Sequence, residues 1–95
     1  MSLNIFYTPH SSESFKSVYH FILAKFGQRS ADGFLSKVEK TIALISEYPM
    51  MFKASDLGEN IRVALITKQC SLFYLVKTDA VHLLFFWDNR QEPIF

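Results

Sequence analysis

The stretch that decides the fold is residues 61–87, IRVALITKQCSLFYLVKTDAVHLLFFW. Within it, 61–66, 72–76 and 81–87 are near-continuous apolar runs, the pattern of strands that bury both faces rather than one. Lys68-Gln69 and Thr78-Asp79 fall where tight turns are needed, so the three runs read as an antiparallel meander. The preceding sequence supplies two helices, enough to cover one face of a small sheet. The other face is then expected to expose more apolar surface than the few hundred Å² a soluble monomer usually tolerates, and to need a companion.

Working outward, residues 3–7 form a short apolar run followed by Thr8-Pro9. This reads as a strand entering a helix, with Thr8 as N-cap and Pro9 at the first helical position, where a missing N–H costs nothing. Phe15, Val18, Tyr19, Ile22, Leu23 and Phe26 then fall on one helical stripe. Gly27 suits a left-handed helix end, and Ser30 opens the next helix. That helix turns Phe34, Leu35, Val38, Ile42 and Ile45 inward until Pro49 stops it. Residues 50–60 lack a clear period and contain Asp56, Gly58 and Asn60, the composition of a loop. From Asn89 the chain continues as a polar tail ending in Ile94-Phe95. The expected fold is α+β in the order β-α-α-β-β-β, a small antiparallel sheet with an αα-hairpin on one face, as a single domain over residues 1–95.

Composition bounds the function. Ninety-five residues that are 49% hydrophobic and 16% aromatic exclude intrinsic disorder and favour one aromatic-rich core. Ten Lys and Arg against nine Asp and Glu leave a net charge of +1. The basic and acidic residues are evenly spread, five and four in 1–48 and five and five in 49–95, so no long-range field steers the chain onto a polyanion. Direct nucleic-acid binding is therefore expected to be weak. Cys70 is the only cysteine, which precludes an internal disulfide and a cysteine-based metal site. No secretory leader pattern opens the chain and no run approaches a membrane span, so a cytoplasmic protein without metal, cofactor or membrane is expected.

Phe26-Gly27 ending the first helix, Tyr48-Pro49 ending the second, Ile61-Arg62 opening the next strand, Phe73-Tyr74 within the one after, and Asp88-Asn89-Arg90-Gln91 after the last occur in this order and spacing. In these features the sequence resembles, over roughly its whole length, the RelE/ParE superfamily of type II toxin-antitoxin system toxins, also described as plasmid stabilisation proteins. The resemblance implies a growth-inhibiting toxin silenced by a cognate antitoxin. RelE-like members cut mRNA on the ribosome; ParE-like members poison DNA gyrase. Cutting RNA through its 2′-OH needs a proton acceptor, a cation at the phosphorane and an acid for the leaving oxygen. RelE-like sequences carry a catalytic Arg just before the Leu-x-Tyr of the middle meander strand, and here that position is Ser71, in Ser71-Leu72-Phe73-Tyr74. The resemblance thus favours the ParE-like, non-nuclease branch.

Arg62, Trp87 and Arg90 are the expected partner-binding residues: two guanidinium forks and an aromatic anchor at strand ends. The alternative is a ribosome-dependent endoribonuclease in which Arg90 is catalytic, helped by Lys68, Lys53 or His82. A third reading is a non-catalytic homo-oligomer, a homodimer whose second copy covers the bare face. His82 reads as structural; His10 and His20 lie on the helical hairpin too far from one another and from carboxylate clusters to suggest a metal site; Cys70, at a turn and without a paired His, does not read as a nucleophile; Tyr74 reads as a core residue whose hydroxyl emerges at the sheet edge, and Met50-Met51-Phe52 as an apolar patch belonging to the core or to the antitoxin groove.

Overall fold

A computed structural model of the chain describes residues 2–90. The tail residues singled out above, Gln91, Ile94 and Phe95, lie outside the described residues. Strand β1 (Asn4–Tyr7) leads into helices α1 (Pro9–Phe26) and α2 (Gln28–Glu47), followed by strands β2 (Lys53–Ala54), β3 (Ile61–Thr67), β4 (Cys70–Val76) and β5 (Ala80–Asp88). The strands form one sheet in the order β1-β5-β4-β3-β2.

The meander and the helical hairpin are present, but the sheet is mixed rather than wholly antiparallel, because β1 pairs parallel to β5, Asn4 to Ala80 through Tyr7 to Leu83. Tight turns force β3, β4 and β5 to alternate; no turn links β1 to β5, so nothing local fixes their relative direction. The loop expected over 50–60 also contains β2, whose Lys53 and Ala54 pair with Val63 and Arg62. Two residues are too few to display a period. The helices abut at Gly27, whose φ of 92° serves as C-cap of α1 and N-cap of α2, so α2 begins at Gln28 rather than at Ser30. Only glycine takes that backbone conformation freely.

Thr8 joins the layers. Its Oγ1 accepts from the Ser11 N–H (3.1 Å) as N-cap and donates to the Leu83 carbonyl (2.7 Å) on β5. At the other end of the hairpin the Leu3 N–H donates to the Ser46 carbonyl (2.8 Å), and the Ser46 hydroxyl donates back to the Leu3 carbonyl (2.6 Å). These bonds lay α2 across the sheet, where Phe34, Val38 and Ile45 bury against Ala64, Leu72, Tyr74, Val81, Leu83 and Phe86. Helix α1 sits more peripherally. Of its residues only Ser11 is fully buried; Phe15, Val18, Tyr19, Ile22 and Leu23 are half-covered and Phe26 is exposed.

A bulge in β5 sets its two faces. Phe73 pairs with Phe85 and Tyr74 with Leu83, leaving Leu84 as the extra residue. The alternation therefore slips by one, so that Val81, Leu83 and Phe86 all reach the helix-side core while His82, Phe85 and Trp87 turn to the far face. Cross-strand rows there run Leu65, Ser71, Trp87 and Val63, Phe73, Phe85. This face is apolar, as its sequence implies, yet less bare than expected. Phe73 is 1% exposed and stacks on Phe85 with ring centroids 4.8 Å apart, and of these six residues only Leu65 is largely exposed. Most of the exposed large apolar side chains lie elsewhere, among them Phe21 and Phe26 on α1 and Leu44, Tyr48, Met50 and Met51 at the end of α2 and just after it.

Candidate partner-binding surface

Strand β1 ends at Tyr7, before β5 does, so on the side away from β4 the second half of β5 has no strand beside it among the described residues. Helix α1 takes that place. The Phe86 N–H donates to Ser14 Oγ (2.8 Å), and Thr8 Oγ1 lies within hydrogen-bond reach of both the Leu83 (2.7 Å) and Leu84 (3.1 Å) carbonyls. Serine and threonine thus satisfy an edge that would otherwise invite another strand. Because a helix stands off from a strand by more than a neighbouring strand would, a groove of about 560 Å³ opens between them, with Val18, Phe21, Ile22, Phe26, Phe86 and Trp87 among its walls.

Two of the three residues expected to meet a partner, Trp87 and Arg90, line this groove; Arg62 does not. Arg90 is exposed and ion-paired with Asp88, Nη2 to Oδ2 at 2.7 Å, with Nε donating to Oδ1 at 2.9 Å. Hydrogen bonding to Arg90 holds the Asp88 carboxyl below its ordinary range. The same guanidinium lies 4.9 Å from the centre of the Phe21 ring, so it bridges β5 to α1.

Arg62 performs a different task. Its Nη1 donates to the carbonyls of Phe52 (2.6 Å) and Met50 (3.2 Å). Its cross-strand partner Tyr74 donates its hydroxyl to the Pro49 carbonyl (2.8 Å). Together they clasp the turn that presents Tyr48, Met50 and Met51 to solvent. The Tyr74 hydroxyl therefore ends under this turn rather than emerging at the sheet edge, and burial raises its pKa to about 12 against the opposing pull of Arg62.

The residues of the nuclease alternative are scattered. Ser71 is 6% exposed, donates to Asn89 Oδ1 (3.0 Å) and sits between Leu65 and Trp87. His82 lies against the Phe6 ring, centroids 5.2 Å apart, Lys68 is exposed in the β3–β4 turn, and Lys53 is on β2 at the opposite edge of the sheet from β1. Cys70 is buried, and desolvation, aided by the Asp88 charge, pushes its thiol to about 12, which removes it as a nucleophile at neutral pH. Among the described residues no three His, Cys, Asp or Glu side chains cluster to hold a metal, and no helix is long and apolar enough to cross a membrane.

The sequence reading passed over Phe21, Lys25 and Ser14. Phe21 carried a usable signal: a large aromatic off the apolar stripe of α1 is a side chain the core does not claim. Lys25 Nζ lies 5.5 Å from the Phe21 ring centre and 5.7 Å from that of Phe26. Phe21 is thus flanked by two cations, from Lys25 and Arg90.

The fold is that of solved toxins. The chain superposes on the chromosomal ParDE system from P. aeruginosa with a TM-score of 0.77 at 10% identity, covering 92% of this chain and 96% of that one. It superposes on the E. coli DinJ-YafQ toxin-antitoxin complex with a TM-score of 0.67 at 10% identity (95% and 96%). For the toxin-antitoxin complex RelBE2 from Mycobacterium tuberculosis the TM-score is 0.64 at 15% identity (93% and 99%). The sequence matches no curated protein. The model of the ParE toxin family of the type II toxin-antitoxin system parDE matches residues 5–93, and the chain, with its meander, helical hairpin and groove, belongs to that family.

Proposed function

We propose that this toxin acts in the ParE manner: it arrests growth by binding a protein target, DNA gyrase by analogy with the family, without cutting RNA, and a cognate antitoxin holds it silent. The observation that carries the reading is the setting of Ser71. The position where RNA-cutting relatives place a cation holds a buried hydroxyl already bonded to Asn89, with Leu65 and Trp87 as its cross-strand neighbours. The next row, Val63, Phe73 and Phe85, is apolar throughout. A phosphorane would find neither a cation nor a proton carrier there. Arg90, the remaining candidate, is engaged by Asp88.

Purified chain added to a gyrase supercoiling reaction is expected to block supercoiling and accumulate cleaved DNA, while mRNA in a translating extract stays intact. Codon-positioned cuts that disappear in Arg90→Ala would overturn the proposal in favour of the ribosome-dependent nuclease.

A further inference from the structure

A second, smaller opening lies within the helical hairpin, and the sequence of α1 produces it. Phe15 packs between Phe34 of α2, ring centroids 5.9 Å apart, and Phe86 of β5 at 5.6 Å, and there the space between the layers is filled. Nearer the start of α1 the side chains on this face are Ser11 and Ser12. Two serines do not fill the space that an aromatic ring fills one turn later, so a cleft of about 270 Å³ remains between them and Leu35, Val38 and Ile42 of α2. Leu35 and Ile42 keep part of their apolar surface uncovered as a result.

The polar groups at the mouth of this cleft are uncommitted. Tyr7 reaches it from the end of β1, Lys16 from α1 and Glu39 from α2, and all three are exposed. None of them makes a hydrogen bond or an ion pair among the described residues. In the groove beside β5, by contrast, Ser14 is taken by the Phe86 N–H and Arg90 by the Asp88 carboxylate. An apolar floor with a few convergent polar groups at its mouth is the general form of a small-ligand site, and a volume just below the range for drug-sized ligands suits a molecule of amino-acid size.

The charges decide the chemistry. Lys16 and Glu39 have opposite signs and stand on opposite walls, so a ligand with a single charge would satisfy one wall and be repelled by the other. A zwitterion answers both. We propose that the cleft binds a free aliphatic α-amino acid of leucine size. Its branched side chain lies against Val38 and Ile42, its carboxylate pairs with the Lys16 ammonium and accepts from the Tyr7 hydroxyl, and its ammonium pairs with the Glu39 carboxylate. A direct Lys16–Glu39 pair competes with this, but an exposed pair contributes little, so a ligand that inserts between the two displaces little. The site stands apart from the gyrase reading, and either can fail alone.

The test is a titration of the isotope-labelled whole chain with L-leucine, followed by heteronuclear NMR. Saturable shifts are expected at the amides of Ser12, Lys16, Leu35 and Glu39, without comparable shifts in the β3–β4 turn. Isopentylamine lacks the carboxylate, isocaproate lacks the ammonium and glycine lacks the side chain; each is expected to bind about threefold or more weakly than leucine. Lys16→Met and Glu39→Gln, exposed changes that spare the core, assign the charges. The first is expected to weaken leucine about three- to fivefold without weakening isopentylamine, and the second to weaken leucine similarly without weakening isocaproate. Absence of shifts at the cleft, leucine bound no better than its single-charge analogues or glycine, or affinities indifferent to both substitutions would each overturn the proposal. N-acetyl-leucinamide, which keeps the side chain but neither charge, binding as well as leucine would overturn it in favour of an apolar side chain from a partner protein.

Discussion

The clasp formed by Arg62 and Tyr74 can be tested as a unit. Replacing Tyr74 by Phe removes one hydroxyl from a residue that is 0% exposed and leaves the Pro49 carbonyl without its 2.8 Å donor. Such a hydrogen bond contributes about 1 kcal/mol net, and orphaning a part-buried carbonyl adds to the loss, so the expected cost is about 1.5 kcal/mol. For a domain of this size that lowers Tm by about 6–12 °C. Arg62→Met keeps much of the side-chain stem but removes the bonds to Phe52 and Met50. Charge-assisted bonds on a half-exposed side chain place its cost at about 1–2 kcal/mol. Because both residues grip the same turn, releasing it with one substitution leaves less for the other to lose, and the double variant should fall short of additivity by about 0.5–1 kcal/mol. Urea denaturation of the four proteins gives the cycle, and hydrogen exchange at the Met51 amide, bonded to the Tyr48 carbonyl at 3.1 Å, reports the turn directly. A Tyr74→Phe protein as stable as the parent, or a strictly additive double variant, would refute the clasp.

Tyr74 and Cys70, both raised to about 12, give the fold an alkaline limit. Each keeps its proton in the folded state while the unfolded chain gives it up near 9 for the thiol and 10 for the phenol, so their stabilisation is complete below about pH 9 and is lost progressively up to about 12. Tyrosinate absorbance should accordingly show one tyrosine titrating late, and Tyr74→Phe should abolish that phase. Asp88 acts at the acid end: held low by Arg90, it supports the fold above the ordinary carboxylate range and ceases to as pH falls through its lowered value, a dependence that Arg90→Gln should weaken in acid-titration fluorescence. Phe73→Ala removes a ring that is 1% exposed and stacked on Phe85; the expected loss is about 3–5 kcal/mol, enough to leave much of the chain unfolded in thermal melts.

What could be read from the sequence was whatever local chemistry decides. The Thr8-Pro9 start, the Gly27 break and the two meander turns depend on neighbouring residues, and each stands where expected apart from small shifts at the helix boundary. The direction of β1 depends on a partner more than 70 residues away, and β2 is too short to carry a period. The bulge at Leu84 was hidden for another reason: in a run as apolar as 81–87 a one-residue slip leaves no mark in the pattern, yet it sends Phe86 to the core and Trp87 to the far face. For the candidate site, Trp87 and Arg90 were legible as strand-end groups that the core does not need. Arg62 looked the same in sequence, and its role became visible only with the Phe52 and Met50 carbonyls beside it.

The surplus of apolar surface was placed on the far side of the sheet because three two-sided strands appeared to outnumber their cover. Aromatic side chains change that reckoning. On a pleated face, rings in register lie down against one another, as Phe73 does on Phe85, so a single layer of large side chains can bury part of itself. Helix α1 has no such means. Its Ser14 and Thr8 are committed to the β5 edge, and its aromatic residues beyond Tyr19 extend past what the short sheet and α2 cover. Phe21 and Phe26 are left at 41% and 58% exposure, with Lys25 and Arg90 the only cations stacked on them among the described residues. A cation over a ring keeps that ring soluble at about 0.5–1 kcal/mol per exposed pair, far less than burying the ring would yield. The demand for a companion therefore comes from the helix rather than from the sheet, and its source is the same replacement of strand by helix beside β5 that opens the groove.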